Sequence, residues 1–303
     1  MAKPTLISVV GQTATGKTSY ALKLANKFFK QEFSKAVLLS ADSKQVFQGL
    51  EILTGADLPN DFKAQENKSY LYRYFAKDSI EIHGVSIVPG DAEWSVAHFE
   101  QLFRNLYDQL DEKAVLIVVG GTGLYHQQIF NPAATTHVKP DQELRTKLEK
   151  LSLAELQQQL QRLNPQRWRA MNNSDQQNPR RLIRAIEIAG AGEDQQQVEG
   201  IELDEQFGLQ LGDRELKQAI TERVDQRLEQ GVIGEVKKFE QQYPANNLQA
   251  KASLGYEPII NHLNNKITLE ELKKAWIQEE TQYARRQQIW WQKKTGINWS
   301  KKL

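Results

Sequence analysis

Gly11-Gln12-Thr13-Ala14-Thr15-Gly16-Lys17-Thr18 decides the fold. The run satisfies the phosphate-loop pattern G-x-x-x-x-G-K-[ST] in full. An apolar run, Leu6-Ile7-Ser8-Val9-Val10, precedes it and reads as a buried strand. Tyr20-Ala21-Leu22-Lys23-Leu24-Ala25 follows and reads as a helix. A strand–loop–helix passage aims successive backbone N–H groups, and the positive end of the helix dipole, at one spot. Gly11 and Gly16 let the loop curl around a polyanion. Lys17 adds a positive charge, and the Thr18 hydroxyl is the expected ligand of a bound Mg²⁺. A di- or triphosphate is therefore expected on Gly11, Gln12, Thr13, Ala14, Thr15, Gly16, Lys17 and Thr18.

Working outward, apolar runs alternate with amphipathic ones. Ala36-Val37-Leu38-Leu39-Ser40 and Ala114-Val115-Leu116-Ile117-Val118-Val119 read as strands. Between them, 96–110 carries Phe99, Leu102, Phe103, Leu106 and Leu110 at helical spacing. Continuous β-branched runs separated by helices predict an α/β fold, a phosphate-loop NTPase-like parallel sheet with helices on both faces. Past Pro132 helical patterns dominate, over 141–163 and 179–189, with a turn at 189–194. A return strand is predicted near 207–211, then long helices over 213–242 and 269–293. The expected organisation is a catalytic core, 1–138 and 209–303, interrupted by a helical insertion domain at 139–208.

Composition narrows the class. The chain has 303 residues, 40% hydrophobic and 25% charged, an ordinary globular mixture. No apolar run reaches membrane-spanning length, and the first residues run straight into a strand, so no membrane association and no leader are expected. There are no cysteines, which rules out disulfides and thiolate chemistry. A cytoplasmic monomer is the expectation. A formal net charge of +1 makes the whole molecule no magnet for nucleic acid. Charge is clustered, however: five arginines (167, 169, 180, 181, 184) lie within 164–187, and a basic patch of this kind engages phosphates locally.

Ligands of open parallel sheets sit beyond the carboxyl ends of the strands. Asp42-Ser43 and Gly120-Gly121-Thr122 end two strands and should meet the phosphate loop there. Asp42 suits a turn or helix cap, a Mg²⁺ ligand, or a general base. The strand 114–119 ends in glycines where nucleotide hydrolases need an aspartate for Mg²⁺, which counts against a motor or switch ATPase. Those glycines suggest close backbone approach to a ligand, with Thr122 as a donor. Arg223 and Arg227 stand at i and i+4 on one helix face. They suit ion pairs with Glu222 or Asp225, or a clamp on diphosphate oxygens.

Six collinear blocks carry a resemblance. They are the phosphate loop; 41–52, ADSKQVFQGLEI; 118–125, VVGGTGLY; 178–187, NPRRLIRAIE; Arg223 to Arg227 with Gly231 and Glu235-Val236; and Ala284-Arg285-Arg286-Gln287 with Trp290. Together they resemble the tRNA dimethylallyltransferase (IPP transferase) family over nearly the whole chain. The resemblance implies transfer of a dimethylallyl group from its diphosphate to the N6 amine of the adenine 3′-adjacent to the anticodon, with diphosphate released. It implies Asp42 as the base, Thr18, Arg227 and Thr122 as catalytic partners, and Arg223 on the diphosphate. It implies tRNA contacts from Asp42, Ser43, Lys44 and Gln45 to the flipped adenine. In the insertion it implies anticodon stem-loop contacts from Arg145, Arg180, Arg181, Leu182, Ile183 and Arg184.

The chain departs from the pattern in four places. Glu51-Ile52-Leu53-Thr54-Gly55-Ala56 stands for Asp-Ile-Gly-Thr-Ala-Lys. Near Gly255-Tyr256 a basic contact is replaced by Ala252 or Glu257, with Lys251 as the residue to compensate. Glu280-Thr281 stands for Thr-Arg, and Ala191-Gly192-Glu193 replaces a Gly-Lys turn. Each removes or shifts positive charge, which bears on tRNA affinity. Two other enzymes share parts of this signature: a small-molecule kinase using ATP, and an isopentenyltransferase acting on free adenine nucleotides. A non-catalytic RNA-binding protein with a relic loop is disfavoured by intact Lys17, Thr18, Asp42 and Arg227.

Overall fold

The alternation of burial along the predicted strands sets the architecture. In the computed structural model, Leu6, Val37, Leu39, Leu116 and Val118 face one apolar cluster, while Ile7, Val9, Leu38, Val115 and Ile117 face another. A strand with both side-chain rows buried is the interior of a sheet covered on both faces. The structure describes residues 2–29, 33–56, 58–66, 71–191, 199–246 and 248–301. Residues 192–194 of the predicted turn, with its Gly192-Glu193 departure, lie outside them.

Eight strands form one sheet: β1 Thr5–Gly11, β2 Lys35–Ser40, β3 Lys63–Gln65, β4 Tyr74–Lys77, β5 Ile80–His83, β6 Ala114–Val119, β7 Glu205–Gln210 and β8 Asn298–Lys301. Their order is β3-β4-β5-β2-β6-β1-β7-β8. The pairs from β5 to β8 are parallel; β3 and β4 add an antiparallel margin. Ala21 and Ala25 of helix Lys17–Phe29 pack on one face. Helix Val96–Gln109 buries Phe99, Leu102, Phe103 and Leu106 on the other, beside Val232, Val236, Phe239 and Trp276. The register brings Val9 beside Val119 and Ser40 beside Val119's other edge, so β1, β2 and β6 end together. That places the phosphate loop, Asp42 and Thr122 at one sheet edge.

Two units result, 1–130 with 201–303, and 131–200. The expected boundaries, 139 and 208, lie eight residues too late at each end. β7 begins at Glu205 and pairs with β1, and before it the Leu6 N–H donates to Asp204 and the Ile201 N–H to the Ile129 carbonyl. Those contacts tie 201–208 to the core.

Two long predicted helices are each two helices. Ser152 and Glu155 form a capping box that starts Leu153–Leu163 afresh after Gln142–Leu148. Gly231, at φ +91°, separates Asp213–Glu229 from Val232–Gln242. Helix Leu269–Gln292 matches its expected span to one residue. In the second unit, Leu148, Leu156, Leu160, Leu182, Ile183 and Ile186 form a separate small core.

Candidate active site

The phosphate loop opens from β1 into helix Lys17–Phe29 with Ala14 at φ +60° and Gly16 at φ +81°. Its curl is held from within: the Thr15 hydroxyl donates to the Gln12 carbonyl (2.9 Å), as does the Lys17 ammonium. It is also held by helix Leu269–Gln292, where Gln287 Oε1 accepts from the Thr13 N–H (2.6 Å).

A cavity of about 600 Å³ lies against the loop. Thr13, Ala14, Gly16, Lys17 and Thr18 line it, together with Asp42, Ser43, Lys44 and Gln45 after β2, Gly120 and Gly121 after β6, and Arg223 and Arg227. Leu38, Leu53, Ala56, Leu58, Ile82, Val85 and Val119 give it an apolar lining. One cavity thus offers cationic and N–H groups for an anion and hydrocarbon for something apolar. Its volume is that of a site for one or two small groups.

Asp42 fills the turn role expected of it. Its Oδ1 accepts from the Lys44 N–H (2.8 Å) and, at 3.4 Å, from the Gln45 N–H, a turn closed by the side chain. Its Oδ2 accepts no hydrogen bond among the described residues. Asp42 is close enough to two tyrosines for its charge to act on them. Burial first, and then Asp42, pushes the Tyr283 hydroxyl up to about 12 and the Tyr125 hydroxyl up as well. Among the described residues no histidine lines the cavity, and its carboxylates are Asp42, Glu222 and Glu280.

Neither arginine takes the partner the sequence suggested. Arg227 is buried and pairs with Glu280 (2.9 Å), its guanidinium 5.6 Å from the Trp276 ring; Arg223 donates to the Thr13 hydroxyl (2.7 Å). Asp225 instead pairs with Lys273. Both guanidiniums reach the space over Gly55, where an added Cβ would overlap them. Gly55 is at φ +62°, a conformation that costs other residues about 1 kcal/mol or more. Gly55→Ala is accordingly expected to displace both arginines and raise the KM for a diphosphate ligand roughly tenfold, at about 1–3 kcal/mol of stability. Steady-state kinetics and thermal melting check this together.

Other expectations are refined or corrected. Gly120 and Gly121 line the cavity as expected, and their missing side chains also make room for protein: a Cβ on the first would strike the Ala41 carbonyl, and on the second the Gln287 amide. Lys251 pairs its buried side chain with Glu240 and does not line the cavity, so it does not replace the missing basic residue on the cavity wall. Gln45 is pinned from both ends, by the Ser40 hydroxyl (2.8 Å) and the Gly55 carbonyl (2.8 Å), and Lys44 donates to the Gln249 carbonyl.

In the insertion, Leu182 and Ile183 are buried, which gives their side chains to the local core and not to a surface. Arg145 binds Glu187 with both arms (2.7 and 2.9 Å). Arg184 reaches Glu187 (3.3 Å) and the carbonyls of Thr135 and Val138. Burial pushes the Glu187 carboxyl up, but the Arg145 hydrogen bond, the Asp141 N–H and the Arg145 charge outweigh it and hold the carboxyl below its usual range. Arg181 pairs with Asp175, and Arg180 is exposed. Sequence reasoning missed Glu280 as a partner, Gln287 as a loop anchor, and both tyrosines.

Mg²⁺ takes oxygen ligands and is usually shared between one or two protein groups and substrate phosphates. The Thr18 hydroxyl lies on the cavity wall beside the loop, and among the described residues no three His, Cys, Asp or Glu side chains converge on a metal. That donor set fits an ion held chiefly by a bound diphosphate.

Known proteins give this geometry a context. A family model described as IPP transferase matches residues 45–294. A tRNA dimethylallyltransferase of Carboxydothermus hydrogenoformans is 30% identical over 307 residues, covering 97% of this chain and 91% of that protein. One of Geotalea daltonii is 30% identical over 302 residues, covering 97% and 90%. The crystal structure of a tRNA isopentenylpyrophosphate transferase from Bacillus halodurans superposes with TM-score 0.65 at 27% identity, covering 99% of this chain and 90% of its own. A eukaryotic dimethylallyltransferase captured acting on tRNA shares the fold, with TM-score 0.73 at 21% identity over 98% and 74%.

Proposed function

The chain belongs to the IPP transferase family, and we propose that it moves a dimethylallyl group from dimethylallyl diphosphate to the N6 amine of the adenine 3′-adjacent to the tRNA anticodon. As a member it is a prenyltransferase acting on tRNA. The observation that carries the finer reading is the double character of the cavity. Its phosphate loop and arginines suit the diphosphate, and its apolar lining suits the five-carbon chain.

The target adenine leaves the anticodon loop and enters the cavity as a flipped base. Its exocyclic amine is a weak nucleophile, and Asp42 accepts the amine proton as the N6–C1 bond forms. The C1–O bond breaks and charge collects on the departing diphosphate. Backbone N–H groups of the loop, Lys17, Arg223 and Arg227 hold that charge. When bound, Mg²⁺ on Thr18 adds Lewis-acid stabilisation of the leaving oxygens. Ser43, Lys44 and Gln45 shape the adenine's approach; Thr122, next to the lining residue Gly121 but not itself on the cavity wall, would act from behind that wall.

The insertion is the expected grip on the anticodon stem-loop. Exposed Arg180 and Arg181 supply direct phosphate contacts, and the Arg145–Glu187–Arg184 lattice holds their helix in place. The setting is the cytoplasm; among the described residues no helix is long and apolar enough to cross a membrane.

An acceptor comparison tests this. With labelled dimethylallyl diphosphate and Mg²⁺, an anticodon stem-loop should take up label at a kcat/KM at least 10²-fold above that of AMP. Preference for AMP would transfer the chain to the nucleotide-specific class. ADP formation from ATP and a small alcohol would make it a kinase.

A further inference from the structure

Among the described residues three carboxylates line the cavity, and Glu280 is the buried one. Both its oxygens are committed: Oε1 accepts from Arg227 (2.9 Å) and Oε2 from the Thr13 hydroxyl (3.2 Å). Thr13 accepts in turn from Arg223 (2.7 Å). The circuit Arg223–Thr13–Glu280–Arg227 joins two turns of helix Asp213–Glu229, the phosphate loop and helix Leu269–Gln292. So committed, Glu280 is no proton acceptor for the reaction. Its charge also opposes a polyanion in the same cavity.

Resting on the reading that a diphosphate occupies this cavity, we propose that Glu280 is a positioning residue that acts as a resident counter-anion. It holds Arg227 and Thr13 in their binding arrangement before the ligand arrives. It then competes with the diphosphate for Arg227 and so weakens retention of the product. A buried guanidinium without a partner is costly, and the carboxylate removes that cost in the free enzyme. The same carboxylate, a few ångströms from the incoming phosphates in a site of reduced dielectric, lowers their affinity. The Glu280-Thr281 departure is thereby an added negative charge in the donor site and not merely a lost tRNA contact.

Titration calorimetry of the full chain with inorganic diphosphate and Mg²⁺ tests it. Glu280→Gln keeps the shape and the acceptor toward Arg227. It should bind diphosphate on the order of tenfold more tightly than wild type. The donor KM should fall in parallel without a rise in kcat, because release slows. Equal or weaker binding by the Gln variant overturns the proposal. Glu280→Thr gives a second readout. Its melting temperature should fall without diphosphate and climb further than that of wild type when diphosphate is added; an equal climb also overturns it. If wild type takes up no diphosphate at all, the reading of the cavity fails, and this inference with it.

Discussion

Replacing Asp42 by alanine is expected to cut dimethylallyl transfer by roughly 10²- to 10⁴-fold while tRNA binding stays within a few-fold. Asp42 is the base that the other groups of the cavity leave. No histidine lines it among the described residues, Glu280 is tied to Arg227 and Thr13, and Glu222 is exposed at its margin. Of the two carboxylates that are not exposed, only Asp42 keeps an oxygen without a hydrogen bond among the described residues. Its other oxygen holds the turn to Lys44, so the alanine variant removes both base and turn. Asp42→Asn separates them, since the amide oxygen can still accept from the Lys44 N–H but the side chain takes up no proton. Single-turnover rates should be nearly as low for Asn as for Ala. Near-normal turnover by Asp42→Asn would assign the proton transfer elsewhere.

Arg227→Ala should show the second large effect, on both donor use and stability. The guanidinium is one of the groups expected to hold charge on the leaving diphosphate. Loss of one such donor costs roughly 10²- to 10³-fold in kcat/KM for the donor. The same change strands the buried Glu280 carboxylate, at about 3–5 kcal/mol. The double variant Arg227→Ala with Glu280→Gln should recover much of the stability and little of the activity. Arg227→Lys should rescue activity poorly, because an ammonium cannot present two parallel N–H groups to phosphate oxygens. Donor kcat/KM unchanged in Arg227→Ala would remove the residue from the site.

Legibility in the sequence followed the range of the contact. The phosphate loop is contiguous and its N–H groups act through local backbone geometry, so its pattern could be read directly. Asp42 and Thr122 were placed by a rule about strand ends that needs only the strands to be found. The short strands β3, β4 and β5 and edge strand β8 carry too few apolar residues for a periodic signal, and were missed.

Arg223 and Arg227 were visible as a pair on one helix face, but their partners were not. Thr13 is 210 residues and Glu280 53 residues away in sequence, and only the folded packing of three elements joins them. The glycines after β6 were read for a ligand and do line the cavity, but a single chain does not reveal that Ala41 and Gln287 also require them to lack side chains. Leu182 and Ile183 sit inside an arginine-rich block, but their helical spacing already marked them as the apolar side of an amphipathic helix.

The central claim is that this cavity bonds a five-carbon chain to a base of tRNA. Incubation of the purified chain with dimethylallyl diphosphate, Mg²⁺ and unmodified tRNA, followed by mass analysis of the digested nucleosides, measures that bond. The expected result is an adenosine heavier by one dimethylallyl group, mapped to the position after the anticodon, with diphosphate released in equal amount. Unmodified adenosine at that position, with donor intact and the enzyme folded, would contradict it.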